Sequence, residues 1–133
     1  MDLIKIFYFR SEDLNAEDYT KDIPSIQALL NRTGLSVQEI LSGNQSLGAM
    51  FEAEGYLSFP SHRQPAPGED KYYRGGYITE IHGSRNGGQV DAIQTEFPKS
   101  IRRNEVNGEQ IRNDFIKALA RVIAQFHELY YTF

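Results

Sequence analysis

The stretch Tyr72–Arg103, YYRGGYITEIHGSRNGGQVDAIQTEFPKSIRR, decides how the chain is read. Two runs in it have the composition of strands, Gly76–His82 and Val90–Phe97. Between them lies Gly83-Ser84-Arg85-Asn86-Gly87-Gly88-Gln89, a turn-forming segment too long for a two-residue hairpin loop. The expectation is an antiparallel hairpin with the Tyr77 and Ile93 strands adjacent. Side chains alternate faces along a strand, so Gln94 and Glu96 share a side, and Ile78, Glu80 and His82 share one on the partner run. The second run ends on the carboxylate of Glu96, just before Phe97-Pro98. A carboxylate at the end of a strand is well placed to present a general base to a cleft.

Outward from this stretch, the flanking segments read as a mixed α/β chain. Leu3–Phe9 has the pattern of a short strand. Ser11 is a candidate cap for a helical turn through Asp13-Leu14. Ile23-Pro24 opens a helix that buries Ile26, Leu29 and Leu30 and stops at Gly34. Ser36-Val37-Gln38-Glu39 has the form of a capping box, with Gly43 as the stop. A helix from Ser46 to about Glu54 follows, then a strand over Tyr56–Phe59 ended by Pro60. Residues 61–70, rich in proline and polar side chains, form a loop. From Asn107 onward, Ile111, Phe115, Leu119, Val122, Phe126 and Tyr130 recur at spacings of three and four. They predict an amphipathic helix of about six turns, packed on a sheet.

Composition narrows the class. At 133 residues the chain makes one domain, and 40% hydrophobic residues, including eight Tyr and eight Phe, suffice for a core. The net charge of −4 argues against a nucleic-acid binder, which needs a basic face to displace phosphate counterions. There are no cysteines, so disulfides, thiolate metal sites and a cysteine nucleophile are excluded. No apolar run approaches the ~20 residues of a membrane span, and the apolar start is too short for a signal peptide. The expected setting is cytoplasmic, with neither nucleic acid nor membrane as partner.

The chain offers no metal motif of its own. His62, His82 and His127 have no i, i+4 pairing and no His-x-x-Glu spacing. Nor is there a Gly-x-Ser-x-Gly elbow, a Walker loop or a dinucleotide fingerprint.

Five features together resemble the N-formylglutamate amidohydrolase family. They are Ser46-Leu47-Gly48-Ala49, the Gly55-Tyr56 to Pro60-Ser61 run, Arg74-Gly75-Gly76-Tyr77, His82-Gly83-Ser84, and Asp91-Ala92-Ile93-Gln94-Thr95-Glu96. The likeness is good over residues 46–103 and loose through the final helix. It implies a carboxypeptidase-like three-layer α/β fold, here partial, with a mixed sheet and a long C-terminal helix. It also implies zinc-dependent hydrolysis of the amide C–N bond of N-acyl amino acids or similar small amides. Glu96 would be the general base, serving a metal-bound water and then the leaving nitrogen. Gln94, Tyr77 and His82 would line the pocket, and Arg74, Arg102 or Arg103 would meet a substrate carboxylate.

The family's metal ligands belong to a region preceding this chain's first residues, so the chain matches a C-terminal portion. It is expected to lack activity alone. The alternative is a non-catalytic, truncated paralogue that serves as a binding or interaction domain. In either case an uncovered sheet edge or apolar face favours a homo-oligomer.

Overall fold

The computed structural model describes residues 3–8, 23–65, 77–103 and 105–132. Its sheet has three strands, β1 (Ile4–Phe7), β2 (Ser58–Phe59) and β3 (Gln94–Glu96), in the order β2-β1-β3. β1 runs parallel to β2, with Ile4 opposite Ser58, and antiparallel to β3, with Lys5 opposite Glu96 and Phe7 opposite Gln94. The sheet is therefore mixed, as expected.

Six helices accompany it among the described residues: α1 (Gln27–Thr33), α2 (Val37–Ser42), α3 (Leu47–Ala53), α4 (Tyr77–His82), α5 (Lys99–Arg102) and α6 (Gly108–Tyr131). Their ends follow local chemistry. Gly34 closes α1 in the left-handed conformation, φ 70°, and its N–H donates to the Leu30 carbonyl. Ser36 caps α2 by accepting from the Glu39 N–H at 3.1 Å. Ser46 does the same for α3 with the Ala49 N–H, also at 3.1 Å. Asn107 precedes α6 at φ 57° but makes no side-chain cap.

The hairpin expectation is corrected. Residues 77–82 form the helix α4, not a strand, and β3 pairs with β1 at the other end of the chain. Tyr-Ile-Thr-Glu-Ile-His has strand-forming residues, but the segment after it is tied away from β3, the Ser84 and Ala92 N–H groups both donating to the Ser25 carbonyl. Gly83 lets α4 end against Ser25. A Cβ there would stand 2.5 Å from the Thr79 carbonyl oxygen and 2.8 Å from the Ser25 Cβ. The second predicted strand shrinks to Gln94–Glu96. The turn predicted around Asp13-Leu14 lies outside the described residues.

Alternation assigns the two faces of the sheet. Ile4, Ile6 and Thr95 point to one side, and Lys5, Phe7, Gln94 and Glu96 to the other. Phe97 continues the first side and meets Phe115 of α6 edge-on, centroids 4.7 Å apart. Phe115 also stacks on Phe51 of α3 at 6.5 Å and takes the edge of Tyr56 at 5.1 Å. So α6 and α3 cover the Ile6 face. Phe115, Val122, Phe126 and Tyr130, four of the six positions predicted to face the core, are buried, together with Ala118.

Candidate functional site

Glu96 is the last residue of β3 and is exposed, as is Gln94 two residues before it. Both lie on the side of the sheet away from α6. The half-buried Lys5 stands across from Glu96, so a cation on β1 and the carboxylate on β3 share one end of one face. Sequence reading missed Lys5, because only the β1–β3 register brings it there.

The strand stops where Pro98, which has no N–H, turns the chain into α5. The Ile101 and Arg102 N–H groups donate to the Pro98 carbonyl at 3.0 and 3.1 Å. Arg102 is exposed, and its Nε donates to the Phe97 carbonyl at 2.6 Å. One of its donors is thus committed to the backbone at the strand exit, while the rest of the guanidinium faces solvent. Arg103 is exposed beside it.

His82 is the final residue of α4 and is exposed, rather than sharing a strand face with Ile78 and Glu80. Tyr77 opens α4, but its side chain lies outside the described residues, as does all of Arg74. Gln94 and Glu96 are therefore the predicted pair that the fold brings together. Arg102 sits one turn beyond them.

The residues just before β3 form a half-buried polar brace. Asp91 Oδ1 accepts from the Ser84 hydroxyl at 2.5 Å and from the Leu29 N–H at 3.4 Å, and Asp91 Oδ2 accepts from the Tyr131 hydroxyl at 2.7 Å. Ser84 Oγ also accepts from the Ala28 N–H at 2.8 Å. The Ser25 hydroxyl donates to the Ala92 carbonyl. Buried Arg85 donates from Nε to the Ile23 carbonyl at 2.8 Å and from Nη2 to the Tyr8 carbonyl at 3.2 Å. Arg32 lies over the Tyr131 ring, 4.9 Å from its centroid, and donates to the Tyr130 carbonyl at 2.7 Å. Burial, then the hydrogen bond to Asp91, pushes the Tyr131 phenol well above its ordinary range.

Ser84 and Asp91 thus hold the lead into β3 rather than line a cleft. The buried Ser84 hydroxyl and the half-buried Asp91 carboxylate need such partners, since an unpaired group in that place is costly. Their sequence signal was present in His82-Gly83-Ser84 and in Asp91 opening the Gln-x-Glu run. Their meeting with Ser25, Leu29 and Tyr131 had no local signature.

A cavity of about 370 Å³ opens at the same end of the sheet, lined by Ile4, Tyr56, Leu57, Pro98, Ser100 and Ile101 among others. Ile111 of α6 also borders it, which places it on the α6 side, across the sheet from Glu96. Burial, foremost, raises the Tyr56 phenol.

No three His, Asp or Glu side chains among the described residues stand close enough to hold a metal ion. The described residues therefore do not by themselves fit the zinc that the resemblance implies. No family model matches the chain, and no curated protein or solved structure matches it either. What the arrangement offers chemically is a solvent-accessible carboxylate on a braced strand, with an amide and a cation on the same face. Such a group can take a proton from water and give it up again.

Proposed function

We propose that the chain is the C-terminal portion of a zinc-dependent amidohydrolase similar to the N-formylglutamate amidohydrolases, with a partial carboxypeptidase-like fold. It would act on the C–N amide bond of an N-acyl amino acid or a similar small amide. The observation that carries this reading is that Gln94 and Glu96 share one face of β3 and are both exposed. They are the two functional positions of the Gln-x-Glu run, and the Asp91 brace fixes the strand that presents them.

Glu96 is the general base in this reading. It takes a proton from the attacking water as hydroxide adds to the acyl carbon. It then delivers that proton to the amide nitrogen as the C–N bond breaks, since an unprotonated amine anion is a poor leaving group. The products are a carboxylic acid and an amine. Gln94, on the same face, is positioned to hold the acyl group, and Arg102 to meet a substrate carboxylate with its outward donors. Zinc enters through the resemblance, and the described residues supply no site for it. The chemistry assigned to this chain is therefore proton transfer at Glu96 and substrate contact around it.

The test is hydrolysis of N-formyl amino acids, with and without zinc, by the polypeptide as its own cells make it. Glu96→Gln is expected to lower kcat by about 10²- to 10⁴-fold, the usual share of a general base. The 133-residue chain alone is expected to be inert. Zinc-dependent turnover by that chain, lost in Glu96→Gln, would show that it carries a complete site. An in-frame His-x-x-Glu upstream of Met1 in the coding sequence would support the reading. A coding sequence without one, with an inert protein, would favour a non-catalytic binding domain.

A further inference from the structure

The sequence contains two Asn-Gly pairs, Asn86-Gly87 and Asn107-Gly108. This dipeptide carries a reaction of its own. The glycine nitrogen, with no side chain beside it to hinder approach, attacks the asparagine side-chain carbonyl. The bond from that nitrogen to Cγ forms, the Cγ–Nδ2 bond breaks, and ammonia leaves with the amide proton. Water then opens the cyclic imide at either carbonyl, giving aspartate or isoaspartate. The step needs no cofactor and no other protein. It does need the asparagine backbone to rotate until the glycine nitrogen comes into line with Cβ, and the fold treats the two pairs differently.

Asn107 is exposed, but its backbone is held. It stands at φ 57° and ψ 25°, which puts the Gly108 nitrogen on the far side of the Cα–C bond from Cβ. The Ile111 N–H donates to the Asn107 carbonyl at 3.0 Å, and Gly108 is buried as the first residue of α6. Rotation there has to unwind the start of the helix. Asn86 lies instead in an exposed run, residues 86–90. Gly87 and Gly88 hold φ 114° and 88°, and among the described residues nothing stands within 4 Å of where either Cβ would be, so the chain has open space to turn in. The bond that has to open is that from the Gly87 N–H to the Ser84 carbonyl, 3.1 Å long.

We propose that Asn86 is a site of spontaneous deamidation, and that Asn107, in the same dipeptide, is protected by its place at the head of α6. Conversion at Asn86 adds a negative charge to the segment that Ser84 and Asp91 clasp at its ends. In the isoaspartyl form it also adds one main-chain atom there, because the chain then runs through the side-chain carbon.

Peptide mapping by mass spectrometry, after incubation of the folded chain at mildly alkaline pH, tests this. Alkali favours the step because the attacking nitrogen has to lose its proton. Asn86 is expected to convert about tenfold or more faster than Asn107, a factor set by the cost of opening the helix start. In urea, where both pairs rotate freely, the same chain is expected to convert them at similar rates. An Asn86 that stays intact in the folded chain while the unfolded chain converts would overturn the site. Equal rates in the folded chain would overturn the protection assigned to α6. So would a ratio that persists in urea, since the neighbouring residues and not the fold would then set it.

Discussion

Tyr131, in the last turn of α6, donates its hydroxyl to Asp91, five residues ahead of Glu96. The end of the longest helix is thereby bonded to the segment that leads into the candidate catalytic strand. Phe replaces this tyrosine without changing its ring, so Tyr131→Phe isolates the bond. The loss should be about 1–2 kcal/mol, at or below the lower range for a bond to a charged acceptor, because the site is half-buried. Urea unfolding at pH 7 measures it. The phenol's folded pKa lies above its unfolded value near 10. The unfolded chain therefore loses that proton first as pH rises. Stability should be full below pH 10 and decline as pH climbs beyond it. The Tyr130 and Tyr56 phenols are raised as well, so Tyr131→Phe should flatten this decline without removing it.

Gly48 is where α3 touches the chain after β2. A Cβ there would stand 2.1 Å from the Pro60 carbonyl oxygen and 2.9 Å from the Ser61 Cβ. Gly48→Ala should improve helix propensity by up to ~1 kcal/mol and lose more than that to the clash with backbone. A net destabilisation of about 1–3 kcal/mol is expected in thermal or urea unfolding. An unchanged or raised Tm would show that α3 is free to move off Pro60.

Glu96 should behave in the opposite way. It is exposed at the end of a three-residue strand. Glu96→Gln should change stability by no more than about 0.5 kcal/mol, with the circular dichroism spectrum unaltered. A large loss of stability would make Glu96 part of the scaffold and would undercut its assignment as the base.

The parts of this fold that were legible in the sequence are those decided within a few residues. The three- and four-residue spacing of Phe115, Leu119, Val122, Phe126 and Tyr130 specifies α6, because burial of one helical face is a local periodicity. Gly34 and Ser36 mark helix ends through the φ and the hydroxyl each supplies. Residues 77–82 misled because strand propensity is a weak local preference, overridden here by the ties of Ser84 and Ala92 to Ser25. The partner of Gln94–Glu96 is Ile4–Phe7, nearly ninety residues earlier. The pairing of Gln94 with Glu96 on one face was legible from alternation alone. Lys5 opposite Glu96, and the Ser25–Ser84–Asp91–Tyr131 brace ahead of β3, depend on contacts between distant segments and leave no short-range trace.

That brace has a consequence for the order of folding. Ser25 reaches Ala92 across 67 residues, and Tyr131 reaches Asp91 across 40. Contacts that close long loops cost chain entropy before they return any energy. The helices α3 and α6 draw on nearby residues and are expected to gain protection early. The Glu96 strand, held at both ends by remote partners, should be among the last segments to become protected in pulse-labelled hydrogen exchange. The candidate catalytic group would then be in place only once the chain from Ser25 to Tyr131 has assembled around it.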